Sequence, residues 1–170
     1  MKTLGLRYLG DTILRKKAAP VESFDQELRD LAHAMIETMR IEEGIGLAAP
    51  QIGESIRLLV IEGSVIGEHE EPRVYVNPVI EKFSRSKDVY EEGCLSIPDI
   101  RCDVERPLEL TVRYQNLNGD AMEEEADELL ARVLQHEVDH LDGILFIDRI
   151  STARRALLRK KLRDIEKKYA

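Results

Sequence analysis

The sequence predicts an α+β fold, with mixed or antiparallel sheets packed around one central helix and a further helix at the C-terminus. Three observations lead there. Segments of β character at residues 56–61, 74–80 and 108–114 outnumber helical ones in the middle of the chain. His136-Glu137-Val138-Asp139-His140 lies on a stretch with helical spacing, Leu129, Val133, His136, Glu137 and His140 forming one stripe. The C-terminal segment carries a second stripe of Leu158, Leu162, Ile165 and Tyr169. At 170 residues the chain suits one domain, residues 1–170, with a sizeable core, and no repeat or low-complexity stretch divides it.

In chain order, residues 11–16 read as one helical turn, ended by Pro20. Ser23 with Gln26 matches a capping box for a helix over 25–42, whose Leu28, Leu31, Ala32, Met35, Ile36 and Met39 are most simply core, and Gly44 closes it. Residues 56–61 are a continuous apolar run, the pattern of a buried strand. Residues 74–80 form a strand ending near Pro78, and 108–114 alternate in polarity. Asn118-Gly119 signals a hairpin with a short return strand over 121–125. The acidic run Glu123, Glu124, Glu125, Asp127 and Glu128 then reads mostly as the first turn of the central helix, where negative charge meets the positive end of the dipole. Gly143 stops that helix, and Ser151 caps the terminal one.

Composition narrows the function. A net charge of −8 argues against general nucleic-acid affinity, although the tail is basic, with Arg154, Arg155, Arg159, Lys160, Lys161, Arg163, Lys167 and Lys168. No stretch approaches the 18 or so apolar residues of a membrane span. Residues 1–17 lack the pattern of a secretory signal, so a cytoplasmic protein is expected, with Cys94 and Cys102 as free thiols.

Residues four apart on a helix share a face, so His136 and His140 can grip one cation while Glu137 lies about 100° around the cylinder, placed as a base beside the metal. The chain has four His; His33 and His69 sit in polar surroundings and are assigned to solvent. Catalytic metals typically take three protein ligands and keep one position for water. Candidates for the third are Asp148, Asp164 and Glu166 downstream, or Cys94 upstream beside Gly93. With such a centre the chain reads as a metal-dependent hydrolase; a zinc endopeptidase and a structural metal module are the alternatives.

Three segments together carry a resemblance: Gly44-Ile45-Gly46-Leu47-Ala48-Ala49-Pro50-Gln51, Glu92-Gly93-Cys94-Leu95-Ser96, and His136-Glu137-Val138-Asp139-His140-Leu141. In sequence, order and separation they resemble the motifs of the peptide deformylases, over essentially the whole chain. That resemblance implies the deformylase fold and removal of the formyl group from the N-terminal formylmethionine of nascent polypeptides by metal-bound hydroxide. It implies Cys94, His136 and His140 as metal ligands, with Fe(II) the expected ion and Zn, Ni or Co as substitutes. Glu137 becomes the general acid/base, with Gln51 and the Leu95 backbone N–H as donors to the developing oxyanion. For the peptide it implies strand-like pairing at Gly46 and an approach by Arg101; Ile45, Leu129 and Val133 are the candidates for an apolar methionine pocket, with Arg132 at its rim. Glu92 and Arg106 are read as a buried ion pair of the scaffold, and Cys102, which matches no motif position, as packing. A monomer is expected, the basic tail being a possible docking surface for the ribosome.

Overall fold

In the computed structural model, which describes residues 4–170, the sheets are wholly antiparallel. Residues 1–3, which open the segment read above for a signal, lie outside the described residues. A 3-10 turn, Thr12–Arg15, precedes α1 (Gln26–Ile41), β1 (Gly46–Ala48), β2 (Leu58–Ile61), α2 (Gly63–Ile66) and β3 (Arg73–Glu81). Then come β4 (Lys87–Cys94), β5 (Ile97–Pro107), β6 (Glu109–Gln115), β7 (Ala121–Asp127), α3 (Glu128–Leu141) and α4 (Thr152–Lys168). One sheet has the order β1-β2-β3-β6-β7, and β4 and β5 form a separate hairpin.

Burial explains the patterns. Strand β2 is apolar throughout because the sheet is covered twice: Leu59 and Ile61 pack with Leu134 and Leu141 of α3, while Leu58 and Val60 pack with Met35 and Met39 of α1. A third cluster joins Ile97, Ile100 and Val104 of β5 to Phe146 and to Leu158 and Leu162 of α4. Cys102 lies in it, 2% exposed, as apolar packing. No helix among the described residues is long and apolar enough to cross a membrane.

Several local expectations are corrected. Asp25, not Ser23, caps α1, its carboxylate accepting from Leu28 N–H at 3.0 Å. At the other end Glu43, with φ +59°, takes the left-handed position, its N–H donating to the Arg40 carbonyl and that of Gly44 to Met39. Gly44 serves instead a close approach, since a Cβ there would lie 2.8 Å from Leu95 Cδ1. Strand β3 does not stop near Pro78 but passes through a bulge, where Asn77 at φ +51° exchanges hydrogen bonds with the Val21 backbone. Most of the acidic run belongs to β7 rather than to a helix turn, because residues 121–127 find ladder partners on β6; only Glu128 is in the first turn of α3. Glu124 thereby reaches Arg73 and the Tyr75 hydroxyl.

Gly143 behaves as its position predicts. At φ +74° it ends α3 in a Schellman arrangement, with Gly143 N–H to the His140 carbonyl and Ile144 N–H to Asp139. A Cβ would stand 2.6 Å from the Arg15 carbonyl oxygen. Gly143→Ala is therefore expected to lower stability by about 2 kcal/mol or more in urea unfolding. A change below about 0.5 kcal/mol would show that Arg15 moves aside freely.

Candidate metal centre

The hairpin and the central helix meet at three ligating side chains. Helix α3 is buried on nearly every face from Ala131 to Leu141, so its polar groups must find partners inside the protein. His136 and His140 stand one turn apart with ring centroids 5.1 Å from each other. Cys94 comes from the end of β4, where the tight turn to Ile97 aims its sulfur at the helix, 3.4 Å from His140 Nε2. The potential ligand atoms of Cys94, His136 and His140 all lie within 4.8 Å of one another.

A charged network fixes the first imidazole. His136 Nδ1 bonds Glu92 Oε1 at 2.8 Å, which turns Nε2 toward the cluster. Glu92 is gripped at both oxygens by Arg106, at 2.7 and 3.0 Å, and by Arg132 at 2.8 Å. Arg106 also bonds Asp139 at 2.9 Å, and Asp139 in turn pairs with Arg149. Burial opposes ionisation of Glu92, but bonds from His136 and Arg106 outweigh it and hold this carboxyl well below the usual carboxylate range. Glu92 thus orients a ring as well as bracing the scaffold. Arg132 does line the cleft, but as a buried residue rather than at an open rim: it is 5% exposed, bonded to Glu92, to the Val104 carbonyl and to Asp88.

The donor set fits a divalent cation. Two buried polar atoms, Glu137 Oε2 and His140 Nδ1, have no hydrogen-bond partner among the described residues. Burial pushes the Glu137 carboxyl up to about 7. Burial also works against a charged His136, yet bonds with Cys94 and Glu92 and the charge of Glu137 push it up to about 10. Burial and the neighbouring His136 and Arg106 hold His140 well below its ordinary value, and a cation where the three ligands converge would take both imidazoles as neutral ligands. One thiolate and two imidazoles suit Fe(II), Co(II), Ni(II) or Zn(II).

Gln51 stands beside the cluster, buried, with its Oε1 accepting from Ala48 N–H at 2.9 Å and its Nε2 donating to Ser96 Oγ at 3.1 Å and facing Cys94 Sγ at 3.5 Å. Leu95 occupies the turn between β4 and β5. Gly46 brings the edge strand β1 against α3 so closely that a Cβ would meet Val133 at 2.9 Å and Glu137 at 3.0 Å. These residues line one cleft of about 730 Å³, together with Ile45, Leu129 and Arg101. Val133 is buried there, whereas Ile45 and Leu129 are partly open to solvent. Arg101 lies over Gly93 and pairs with Glu91 at the mouth.

The orienting roles of Glu92 and Asp139 and the burial of Arg132 were missed from sequence. So was the hairpin that delivers Cys94, although Ile100, Cys102, Val104 and Arg106 alternate inward along β5 and could have revealed it.

The polypeptide deformylase family model matches residues 4–156. A Brucella suis protein described as peptide deformylase is 46% identical over 170 residues, covering all of this chain and 97% of its own. The chain belongs to the polypeptide deformylase family. A Thermotoga maritima deformylase is 49% identical over 160 residues, 94% of each chain. The crystal structure of peptide deformylase from that organism superposes with a TM-score of 0.83 at 44% identity, covering 89% of this chain and 99% of that one. A Synechococcus elongatus deformylase solved in complex with actinonin gives 0.87 at 45%, covering 93% and 87%. The α+β architecture with its antiparallel sheets and C-terminal helix is thus the deformylase fold, and the chain is a hydrolase of that family.

Proposed function

We infer that this chain is a metal-dependent hydrolase that removes the formyl group from the N-terminal formylmethionine of nascent polypeptides. The observation that carries this is the convergence of Cys94, His136 and His140 beside the buried carboxylate of Glu137, in a cleft edged by an open strand. Cys94, His136 and His140 would hold the cation, with Fe(II) the expected ion and Zn, Ni or Co as substitutes. When bound it would polarise the formyl oxygen and acidify water.

The protein's own groups do the rest. Glu137, buried beside the ligand cluster, takes a proton from the attacking water and delivers it to the departing amine. Gln51 Nε2 and the Leu95 backbone N–H would donate to the formyl oxygen as it becomes negative. Gly46 pairs with the extended peptide backbone, the methionine side chain enters between Ile45, Leu129 and Val133, and Arg101 approaches the peptide from the mouth.

A formylmethionyl peptide assay with formate as readout tests this. Release of formate with internal bonds intact is expected, whereas cleavage of unformylated protein with formyl groups spared would favour an endopeptidase. A structural zinc module normally has four protein ligands, and among the described residues this group has three. We read residues 1–170 as one catalytic domain acting as a monomer in the cytoplasm, which sedimentation and fractionation check. The basic face of α4 is our candidate for ribosome docking; equal co-sedimentation of full-length and α4-truncated protein at low salt would rule it out.

A further inference from the structure

The cleft continues outward from the ligand cluster to a wall built by Tyr8 and Tyr169, from opposite ends of the chain. Their rings stack with centroids 3.8 Å apart and planes within 14°. Both are anchored. Arg7 N–H donates to the Gln51 carbonyl at 2.7 Å and Leu9 N–H to the Ser96 carbonyl at 2.9 Å, so the segment carrying Tyr8 is bonded to the two segments beside Cys94. Leu9 turns inward, into the cluster with Phe146 and Leu158, and Tyr8 lines the cleft. Helix α4 is seated by Leu158, Leu162 and Ile165, and Glu166 Cβ would lie 3.3 Å from a Cβ on Gly10. The Tyr169 N–H closes the last turn on the Ile165 carbonyl at 3.2 Å.

The position of this wall along the cleft follows from the chain. From Gly46, against Glu137, the chain runs back through Gly44 and the turn at Glu43, φ +59°, to Glu42 at the end of α1, which lines the same cleft as Tyr8 and Tyr169. An extended peptide advances about 3.3 Å per residue, so with its formyl end at the cluster the wall can meet only a side chain a few residues downstream of the methionine. Tyr169 remains 39% exposed, so the pair presents open surface to the cleft.

We propose that Tyr8 and Tyr169 form a specificity-determining wall for the third or fourth residue of the formylated peptide, so that the end of α4 helps select longer substrates with an aromatic or long aliphatic side chain there. This rests on the deformylase reading above. The wall does not reach the reacting atoms, so its contribution falls in KM and grows with peptide length.

The test compares metal-loaded wild type, Tyr169→Ala and Tyr169→Phe on formylmethionyl-alanine and on formylmethionyl tetrapeptides with Phe at position three or four. For Tyr169→Ala the ratio of kcat/KM on the better tetrapeptide to that on the dipeptide should fall about fivefold, through KM. Tyr169→Phe, which keeps the ring, should restore the ratio to within about twofold. An unchanged ratio in Tyr169→Ala, a loss carried by kcat on both substrates, or failure of Phe to restore it would overturn the wall while leaving the deformylase reading intact. Failure of wild type to release formate from either peptide would instead remove the reading on which the wall depends.

Discussion

Glu137→Gln should reduce turnover by about 10²- to 10⁴-fold while leaving the fold and the metal content in place. Glu137 is buried on α3, its Oε1 3.9 Å from His136 Nε2, beside the ligand cluster but outside it. Gln has the same shape, so no cavity opens, and a neutral amide in this desolvated position replaces the titratable carboxyl. What disappears is the ability to accept and return a proton. Single-turnover formate release with metal analysis of the same sample measures both consequences. Turnover within about tenfold of wild type at full metal occupancy would place the proton transfer elsewhere.

Gln51→Ala is the second large effect, a loss of about 10²- to 10³-fold in kcat. The Gln51 amide is positioned at both ends, by Ala48 N–H on its oxygen and by Ser96 Oγ on its nitrogen, which keeps the N–H₂ group beside Cys94. Truncation leaves the buried Ala48 N–H without that acceptor, so a stability loss of about 1–3 kcal/mol should accompany the kinetic one. The two separate cleanly, because the kinetic loss persists at temperatures where the variant is fully folded. A higher KM with unchanged kcat would mean that Gln51 binds the peptide and does not stabilise the developing charge.

The central helix was legible because its signals are local: His136 and His140 one turn apart, an apolar stripe, and a glycine that fits the left-handed position after Asp142. Its third ligand was not. Cys94 is far from His136 in sequence and arrives at the end of β4, whose residues from Lys87 to Glu91 are all exposed and show no apolar alternation that would mark a strand. Only the likeness of three separated motifs brought that sulfur to the helix. Arg132 was misplaced for a related reason. Arginine is ordinarily exposed, and nothing along α3 reveals that buried Glu92 and, nearer the surface, Asp88, both on β4, accept hydrogen bonds from it. The acidic run before α3 misled because negative charge suits both a helix N-terminus and a solvent-facing strand; pairing with β6 decided the matter. The cap of α1 slipped by two residues because Ser23 and Asp25 are both competent caps, and only the backbone selects between them.

Everything in this mechanism depends on one cation shared by Cys94, His136 and His140. The most direct test is the metal-to-protein ratio of anaerobically purified wild type and Cys94→Ala, read on the same samples as formate release. The account predicts about one equivalent in wild type, with activity proportional to occupancy, and loss of both metal and turnover in the variant. A full equivalent of metal and wild-type turnover in Cys94→Ala would contradict it.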